Sequence, residues 1–242
     1  MKIDFFEEFP NDENLAKASL LNYPCVVFLA AKSLDEFFNL KEKLNRINPL
    51  VEAAYWPILE NSYWISPFSE TKDLENLYED LEKHKLKDLK VLIDLEAPPR
   101  NTRSAWENIL VFSKSKRLIE SIFGDSEKLG IKIFAGEGPI SPFISLPFGY
   151  SYSVRKYGHE RINMYYSSMM QKRIAKFLHK AMIRRNKNIG VGVIAKGVKH
   201  EPLLSPKGLE EDLKYFKNKN ITIFRLGGLN QEYMDAINKF IG

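Results

Sequence analysis

Cysteine is almost absent from this sequence, and so are the segments that export a protein or anchor it to a membrane. Cys25 is the only cysteine among 242 residues, so no disulfide can form within the chain. No basic stretch followed by an apolar stretch opens the sequence, and no run of about 18 apolar residues occurs in it. We therefore expect a cytoplasmic protein with no membrane partner. Abundant lysine, glutamate and isoleucine favour a thermophilic source.

Linker-like composition is also missing. No Gly/Ser-rich tract, Pro-rich tract or long charge run divides the chain. Hydrophobic residues make up 44% of the sequence and charged residues 28%, which is typical of a globular protein with a sizeable core. We predict that residues 1–242 form a single domain, close to the length of about 250 residues typical of a (β/α)8 barrel.

The positive charge is not concentrated in a nucleic-acid-binding motif. The net charge is +5, and its densest basic stretch covers residues 172–187. Apolar residues such as Ile174, Phe177 and Ala181 interleave there at helical spacing. This pattern is typical of the solvated face of an amphipathic helix, so we expect no nucleic-acid partner.

Short apolar segments rich in β-forming residues recur eight times, and helical patterns separate most of them. The predicted strands are residues 2–8, 24–31, 50–56, 90–96, 131–137, 161–167, 188–196 and 221–227. A doubly wound open sheet would require a glycine-rich phosphate-binding turn after the first strand, whereas the sequence there is acidic and lacks glycine. We therefore predict an α/β fold, a closed (β/α)8 TIM barrel.

One crossover departs from the alternation of strands and helices. Residues 138–160 contain Pro139, Pro142, Pro147, Gly149 and Gly158, so the fifth crossover is predicted to be a long loop. Long loops in compact domains are often functional.

Polar and aromatic side chains gather at the predicted carboxyl ends of the strands, where barrels of this type carry their active sites. The candidate site residues are Glu8, Trp56, Trp64, Asp94, Glu96, Glu137, Tyr165, Tyr166, Lys196 and Arg225. We expect Glu8, Trp56, Trp64, Tyr165, Lys196 and Arg225 to bind the substrate. The aromatic rings suit the C–H faces of sugars.

Three carboxylates are the candidates for acid–base chemistry. Asp94 and Glu96 lie two apart in the predicted fourth strand and would share one face of it. Glu137 ends the fifth strand between Gly136 and Gly138, where a ligand can approach closely. Glu96 and Glu137 could then act as acid and as base or nucleophile. The alternative is a structural ion pair of these carboxylates with Lys196 or Arg225.

Two segments resemble glycoside hydrolase family 18, the chitinase-like barrels. Asp94-Leu95-Glu96 matches the Asp-x-Glu that closes the fourth-strand motif of that family, and Met164-Tyr165-Tyr166 matches the Met-x-Tyr of its sixth strand. The resemblance implies a carbohydrate-processing hydrolase with Glu96 as the general acid, Asp94 orienting it, and Tyr166 supporting an oxazolinium-like intermediate.

Two further functions fit a barrel of this kind. A phosphate-binding barrel would hold a sugar phosphate or nucleotide through Gly197, Gly227 and Gly228, in the loops after strands seven and eight. A non-catalytic binding barrel is the other alternative, because a fold does not imply a function.

A metal site is the weakest alternative. Its ligands would be Glu96, Glu137, His159 and His200, but no His-x-His or His-Glu-x-x-His spacing occurs in the sequence. We expect a small-molecule or carbohydrate ligand and no metal or other cofactor. The sequence leaves the substrate and the oligomeric state open.

Overall fold

The chain forms a closed parallel barrel of eight strands in sequence order, with β8 returning to β1, as predicted. The computed structural model describes residues 1–84, 86–96, 105–138, 145–169, 187–198 and 200–241, with residues 105–111 described by their backbone alone. The strands are β1 Ile3–Glu7, β2 Cys25–Ala31, β3 Val51–Pro57, β4 Leu89–Asp94, β5 Ile131–Glu137, β6 Glu160–Met164, β7 Asn188–Gly192 and β8 Asn220–Phe224.

The strands are buried on both faces, as a parallel sheet covered by helices requires. Every residue of β1 and β2 is buried. Phe5 lies opposite Val27 of β2 on one side and Ile223 of β8 on the other, so β1 is paired along both edges. Continuous apolar runs without polar alternation are the sequence signature of such strands.

Helices follow most strands and cover the barrel. They are α1 Asp12–Ala16, α2 Leu34–Ile47, α3 Thr71–Lys83, α4 Ala105–Gly124, α5 Val154–Tyr157, α6 Pro206–Tyr215 and α7 Gln231–Asn238. Side chains cap four of them. Asn11, Ser33, Ser205 and Asn230 each accept a hydrogen bond from a backbone N–H in the first turn of the helix that follows.

The fifth crossover contains little regular structure in its described part. Residues 145–159 contain turns and the single-turn helix α5, which is followed by Gly158 in the left-handed conformation with φ of 71°. Residues 139–144 lie outside the described residues. The basic helix predicted at 172–187 also falls there, except for Lys187.

Five strands end earlier than the sequence pattern predicted. β1 ends at Glu7, β4 at Asp94, β6 at Met164, β7 at Gly192 and β8 at Phe224. Glu96 and Lys196 therefore follow their strands instead of belonging to them. The predicted sharing of one strand face by Asp94 and Glu96 is wrong, because the two-residue alternation ends with the strand.

The chain divides into two compact units. The first contains Met1–Ala30, Phe38–Ala54 and Ile162–Gly242, and the second contains Ala31–Phe37 and Tyr55–Arg161. No helix in the described ranges is long and apolar enough to cross a membrane.

Candidate functional site

A buried carboxylate at the end of β1 organises the polar groups of the first unit. Glu7 is 0% exposed. Its Oε1 accepts hydrogen bonds from the Phe9 backbone N–H at 2.9 Å, from Asn14 Nδ2 at 3.3 Å and from Arg225 Nη1 at 2.7 Å. Its Oε2 accepts the Gly227 backbone N–H at 2.6 Å. These five residues form the Glu7 cluster.

Arg225 is the side chain that the Glu7 cluster fixes in place. Its Nε donates to the backbone oxygen of Lys196 at 3.1 Å, and its guanidinium carbon lies 4.7 Å from the centre of the Phe9 ring. Burial raises the pKa of Glu7, and the charge of Arg225 opposes that shift. Arg225 is therefore a preorganised cation, which suits hydrogen bonding to ligand oxygens.

The loop after β7 uses its backbone N–H groups internally. The N–H of Gly197 donates to Glu201 Oε2 at 3.0 Å, and that of Val198 donates to Glu8 Oε2 at 3.1 Å. Glu8 is buried, and a Cβ at Gly197 would lie 2.5 Å from its Oε2. Gly197 thus allows the close approach of this loop to the Glu8 carboxylate.

The backbone N–H groups of the loop after β8 also donate to partners within the protein. The Gly227 N–H belongs to the Glu7 cluster, and the Gly228 N–H donates to the backbone oxygen of Arg225 at 3.1 Å. The donors predicted to hold phosphate are therefore already engaged, two of them by carboxylates that would repel an anion. Phosphate binding at Gly197, Gly227 and Gly228 stays a prediction that would require these N–H groups to give up their present partners.

A second buried carboxylate organises the polar groups of the second unit. Glu137 ends β5 and is 4% exposed. Its Oε2 accepts Ser151 Oγ at 2.9 Å, and its Oε1 accepts Arg161 Nε at 3.1 Å. Arg161 Nη2 also donates to Ser151 Oγ at 3.0 Å and to the backbone oxygen of Tyr152. These four residues form the Glu137 cluster.

The electrostatics of the Glu137 cluster suit a proton-transferring carboxylate. Burial raises the pKa of Glu137, while Arg161 and the hydroxyl of Ser151 lower it without cancelling the shift. A carboxylate with a raised pKa is a stronger base than one in water. Glu137 forms an ion pair with Arg161, and Arg225 forms one with Glu7. The sequence had suggested Lys196 or Arg225 as the partners of Glu96 and Glu137.

Asp94 and Glu96 have different surroundings. Asp94 is 5% exposed and lies opposite Gly136, where a Cβ would come within 3.1 Å of its Oδ1. Glu96 is half-buried, and its backbone N–H donates to the backbone oxygen of Asp94 at 3.1 Å. The backbone turns at this point, so Glu96 is carried by a loop and not by the rigid strand.

The predicted aromatic platform is mostly interior. Trp56, Trp64 and Tyr165 are between 0% and 4% exposed, so their rings present no face to solvent. Tyr166 is half-buried, and its ring lies 5.7 Å from that of Phe224. Lys196 is exposed.

The two histidines proposed as metal ligands are unlike each other. His159 is buried against Phe123, whereas His200 is exposed. Among the residues that the structure describes, no three His, Cys, Asp or Glu side chains lie close enough to hold a metal ion. The alternative with Glu96, Glu137, His159 and His200 therefore gains no support.

The sequence pointed to Arg225 and Glu137 but did not pair them with Glu7 and Arg161, and it did not indicate Ser151. Arg161 is a charged residue at the start of an apolar strand, which is a weak local signal. Ser151 lies 14 residues from Glu137 and Arg225 lies 218 residues from Glu7, so the barrel alone brings them together.

Comparison with solved structures supports the barrel and not the hydrolase family. A D-tagatose 3-epimerase-like protein superposes with a TM-score of 0.56 at 13% identity, covering 99% of this chain and 95% of that chain. A D-allulose 3-epimerase from Methylomonas sp. gives 0.55 at 11%, covering 100% and 98%. A 3-keto-D-glucoside 4-epimerase from E. coli gives 0.51 at 14%, covering 99% and 98%. At such identities the likeness establishes the fold.

No protein-family model and no curated protein matches the chain. The resemblance to glycoside hydrolase family 18 is therefore not supported. The matching segments are short, and Glu96, which would be the general acid, lies beyond the end of β4. The structural neighbours are epimerases, so a glycosidase activity is not supported either.

Proposed function

We propose that this chain binds a small carbohydrate and moves a proton on it, in the manner of a sugar epimerase or isomerase. The observation that carries the proposal is the Glu137 cluster. Glu137 is a buried carboxylate of raised pKa at the carboxyl end of a barrel strand, with two hydrogen-bond donors fixing its orientation. The sugar epimerases that share the fold support a carbohydrate as the ligand.

The chemistry is abstraction and return of a proton beside a carbonyl group. In a ketose, the hydrogen on the carbon next to the carbonyl is acidic because the electron pair left behind delocalises onto the carbonyl oxygen. Glu137 would accept that proton and leave an enolate. Return of the proton from Glu137 would restore the carbon, whereas a proton delivered from solvent to the opposite face would invert it. Ser151 and Arg161 would hold the carboxylate while it changes charge.

The remaining candidates have supporting roles in this proposal. Asp94 and Glu96, in the same unit as Glu137, would contact the substrate without being required for proton transfer. Glu8, Tyr166, Lys196 and Arg225 belong to the first unit and remain predicted ligand-binding residues of that unit.

A non-catalytic barrel that binds a sugar is the second candidate. Both oxygens of Glu137 already accept hydrogen bonds, an arrangement that a purely structural ion pair also shows. The two functions differ in one observable, the exchange of a carbon-bound proton with solvent.

The test is isotope exchange followed by proton NMR. The full chain is incubated in D2O with D-allulose, D-tagatose or L-ribulose, and the signal of the hydrogen beside the carbonyl is followed. We expect that signal to decay with at least one ketose. We expect Glu137→Gln to slow the decay about 100-fold or more, because removing a general base has effects of that order.

Glu79→Gln is the matched control, because Glu79 is exposed on α3 and the substitution makes the same change of charge. It should exchange at the rate of the unsubstituted chain. Exchange that is equally fast in Glu137→Gln contradicts the assignment of the base. Binding of a ketose without exchange identifies the non-catalytic barrel, and cleavage of N-acetylglucosamine oligomers would restore the hydrolase hypothesis.

A further inference from the structure

Residues 151–159, called the crossover segment from here on, join the Glu137 cluster to a buried histidine within the second unit. At the start of the segment, the Ser151 hydroxyl donates to Glu137 Oε2 at 2.9 Å, and a backbone hydrogen bond from Tyr152 also lowers the pKa of Glu137. At its end, His159 directly precedes β6 and is 5% exposed. The segment therefore carries two donors to the proposed base and one titratable ring.

Aromatic packing links the two ends of the crossover segment. The ring centre of Phe123, on α4, lies 4.8 Å from that of His159 and 4.8 Å from that of Tyr152. Tyr157 completes this ring cluster at 5.7 Å from Phe123 and 6.3 Å from Tyr152. Because the rings are in mutual contact, displacement of one removes packing from the others.

The ring cluster offers no acceptor to a protonated histidine. Neither ring nitrogen of His159 has a hydrogen-bond partner in the described part of the chain, and the Tyr152 hydroxyl has none either. Burial and the charge of Arg161 lower the pKa of His159 to about 4. An imidazolium has two N–H donors, so it is stable only where water or an acceptor reaches both.

The charges on the surrounding elements do not compensate an imidazolium. Besides the two tyrosines, the titratable groups of these elements are Glu120 of α4, Glu137 of β5, Lys156 of α5, and Glu160 and Arg161 of β6. Glu137 is paired with Arg161, and Glu160 is paired with Lys132 at 2.8 Å. Glu120 acts on Tyr152 and on Lys156. The charge that acts on His159 is the repulsive one of Arg161.

Gly158 provides a pivot beside the histidine. Its φ of +71° lies in the left-handed region, and a Cβ added there would meet no described atom within 4 Å. The main chain has open space at this point. A rotation at Gly158 can therefore carry the ring of His159 toward water without a steric clash.

We propose that protonation of His159 opens the crossover segment and withdraws two hydrogen-bond donors from Glu137. The imidazolium leaves the ring cluster for water, and Ser151 and Tyr152 move away from the carboxylate with the rest of the segment. Mild acid thereby switches off the proposed base reversibly. This last consequence rests on the proposed function, whereas the opening itself does not.

The test is amide hydrogen exchange of the full chain by NMR between about pH 6.5 and about pH 4.5. The reporters are the N–H of Tyr152 and that of Gly158, which donates to the backbone oxygen of Val154 at 2.8 Å. Only the open form takes up the proton, so we expect their protection factors to fall about tenfold per pH unit. The amides of β4 and β5, which pair in the same unit, should stay at least about tenfold better protected at each pH.

His159→Leu and His159→Phe cannot take up the proton. In both variants the protection of the Tyr152 and Gly158 amides should no longer depend on pH, and either variant decides the test if the other fails to fold. His200→Asn is the matched control, because His200 is exposed, and it should keep the pH dependence of the unsubstituted chain.

Three results would each overturn the switch. They are protection that is independent of pH in the unsubstituted chain, the same fall in the His159 variants, and protection of the crossover segment equal to that of β4 and β5. The last would mean that the histidine acts only through global unfolding.

Ketose exchange tests the link to Glu137 separately. As the pH falls, exchange should be lost at a higher pH in the unsubstituted chain than in His159→Leu, and coincident curves would contradict the link. Absence of exchange at every pH contradicts the proposed function alone, because amide protection is measured without a substrate.

Discussion

His159 is a titratable side chain in an environment that excludes its charged form. It is 5% exposed, its ring lies edge-on to Phe123 at 4.8 Å, and neither ring nitrogen has a hydrogen-bond partner in the described residues. Burial, with the nearby charge of Arg161, lowers its pKa to about 4. The neutral imidazole is therefore the form that the folded protein accepts.

This environment predicts a loss of stability in acid. The folded pKa lies below the unfolded value of 6.5, so the unfolded chain takes up the proton first and stability falls as the pH decreases from about 6.5 toward about 4. His159→Leu removes this dependence. As the pH falls from about 6 to about 4, we expect the unfolding free energy of His159→Leu, relative to that of the unsubstituted chain, to rise by about 1 kcal/mol per pH unit.

Chemical denaturation at several pH values measures the effect. His200→Asn is the control, because His200 is exposed and has a positive φ of 53°, which asparagine tolerates. Its stability curve should run parallel to that of the unsubstituted chain. Parallel curves for His159→Leu as well would mean that the folded protein accommodates the imidazolium.

At the scale of elements, a single short hydrogen bond joins a loop to a helix. Ser167, in the turn after β6, donates from Oγ to Asp212 Oδ2 at 2.6 Å. Asp212 is on α6 and is 6% exposed, and burial raises its pKa to about 6 in spite of this donor. The helix therefore carries a carboxylate whose ionisation the folded state resists.

Asp212→Asn should stabilise the protein at alkaline pH. The folded pKa is raised above the unfolded value of 3.8, so the protonated group favours folding below about pH 4 and this contribution is lost as the pH rises through about 6. Asparagine stays neutral and can still accept the hydroxyl hydrogen. We expect a gain of about 1–3 kcal/mol in unfolding free energy at pH 8 that disappears by about pH 4.

Thermal or denaturant unfolding at pH 4 and pH 8 gives the comparison. Asp235→Asn serves as the control, since Asp235 is exposed on the neighbouring sequence element α7 and should show no such gain. A gain of equal size at both pH values would indicate a packing effect instead of a titration.

At the scale of the whole molecule, barrel closure joins the first strand to the last. Asp4 lies opposite Thr222 and Phe6 opposite Phe224, so the edge of β1 is paired with residues far along the chain. This pairing joins the two ends of the chain within the first unit, and segments of the two units alternate along the sequence. We propose that residues 1–242 fold as a single domain even though they divide into two compact units.

The distribution of tryptophan makes this proposal testable. Trp56, Trp64 and Trp106 are the only tryptophans, and all belong to the second unit. Fluorescence therefore reports on that unit, while far-ultraviolet circular dichroism reports on the entire chain. We expect the two signals to give the same guanidinium midpoint, as in a two-state transition, and separate midpoints would show that the units unfold independently.

The sequence by itself determined the barrel. Eight apolar segments with helical patterns between them are a consequence of local periodicity, and periodicity is written in neighbouring residues. The strand ends were less determined, because backbone pairing decides them. The fourth strand was predicted to end at residue 96 and ends at Asp94, so Glu96, a proposed catalytic group, lies in a loop instead of a strand.

Only the tertiary structure decided the polar partners. Glu7 is paired with Arg225 and Glu137 with Arg161, and the amides of Gly197 and Gly227 are occupied by carboxylates. These contacts depend on how strands distant in the chain come together, which no local pattern encodes. Glu137, first selected for its place at a strand end, is now the proposed base because of the groups that surround it.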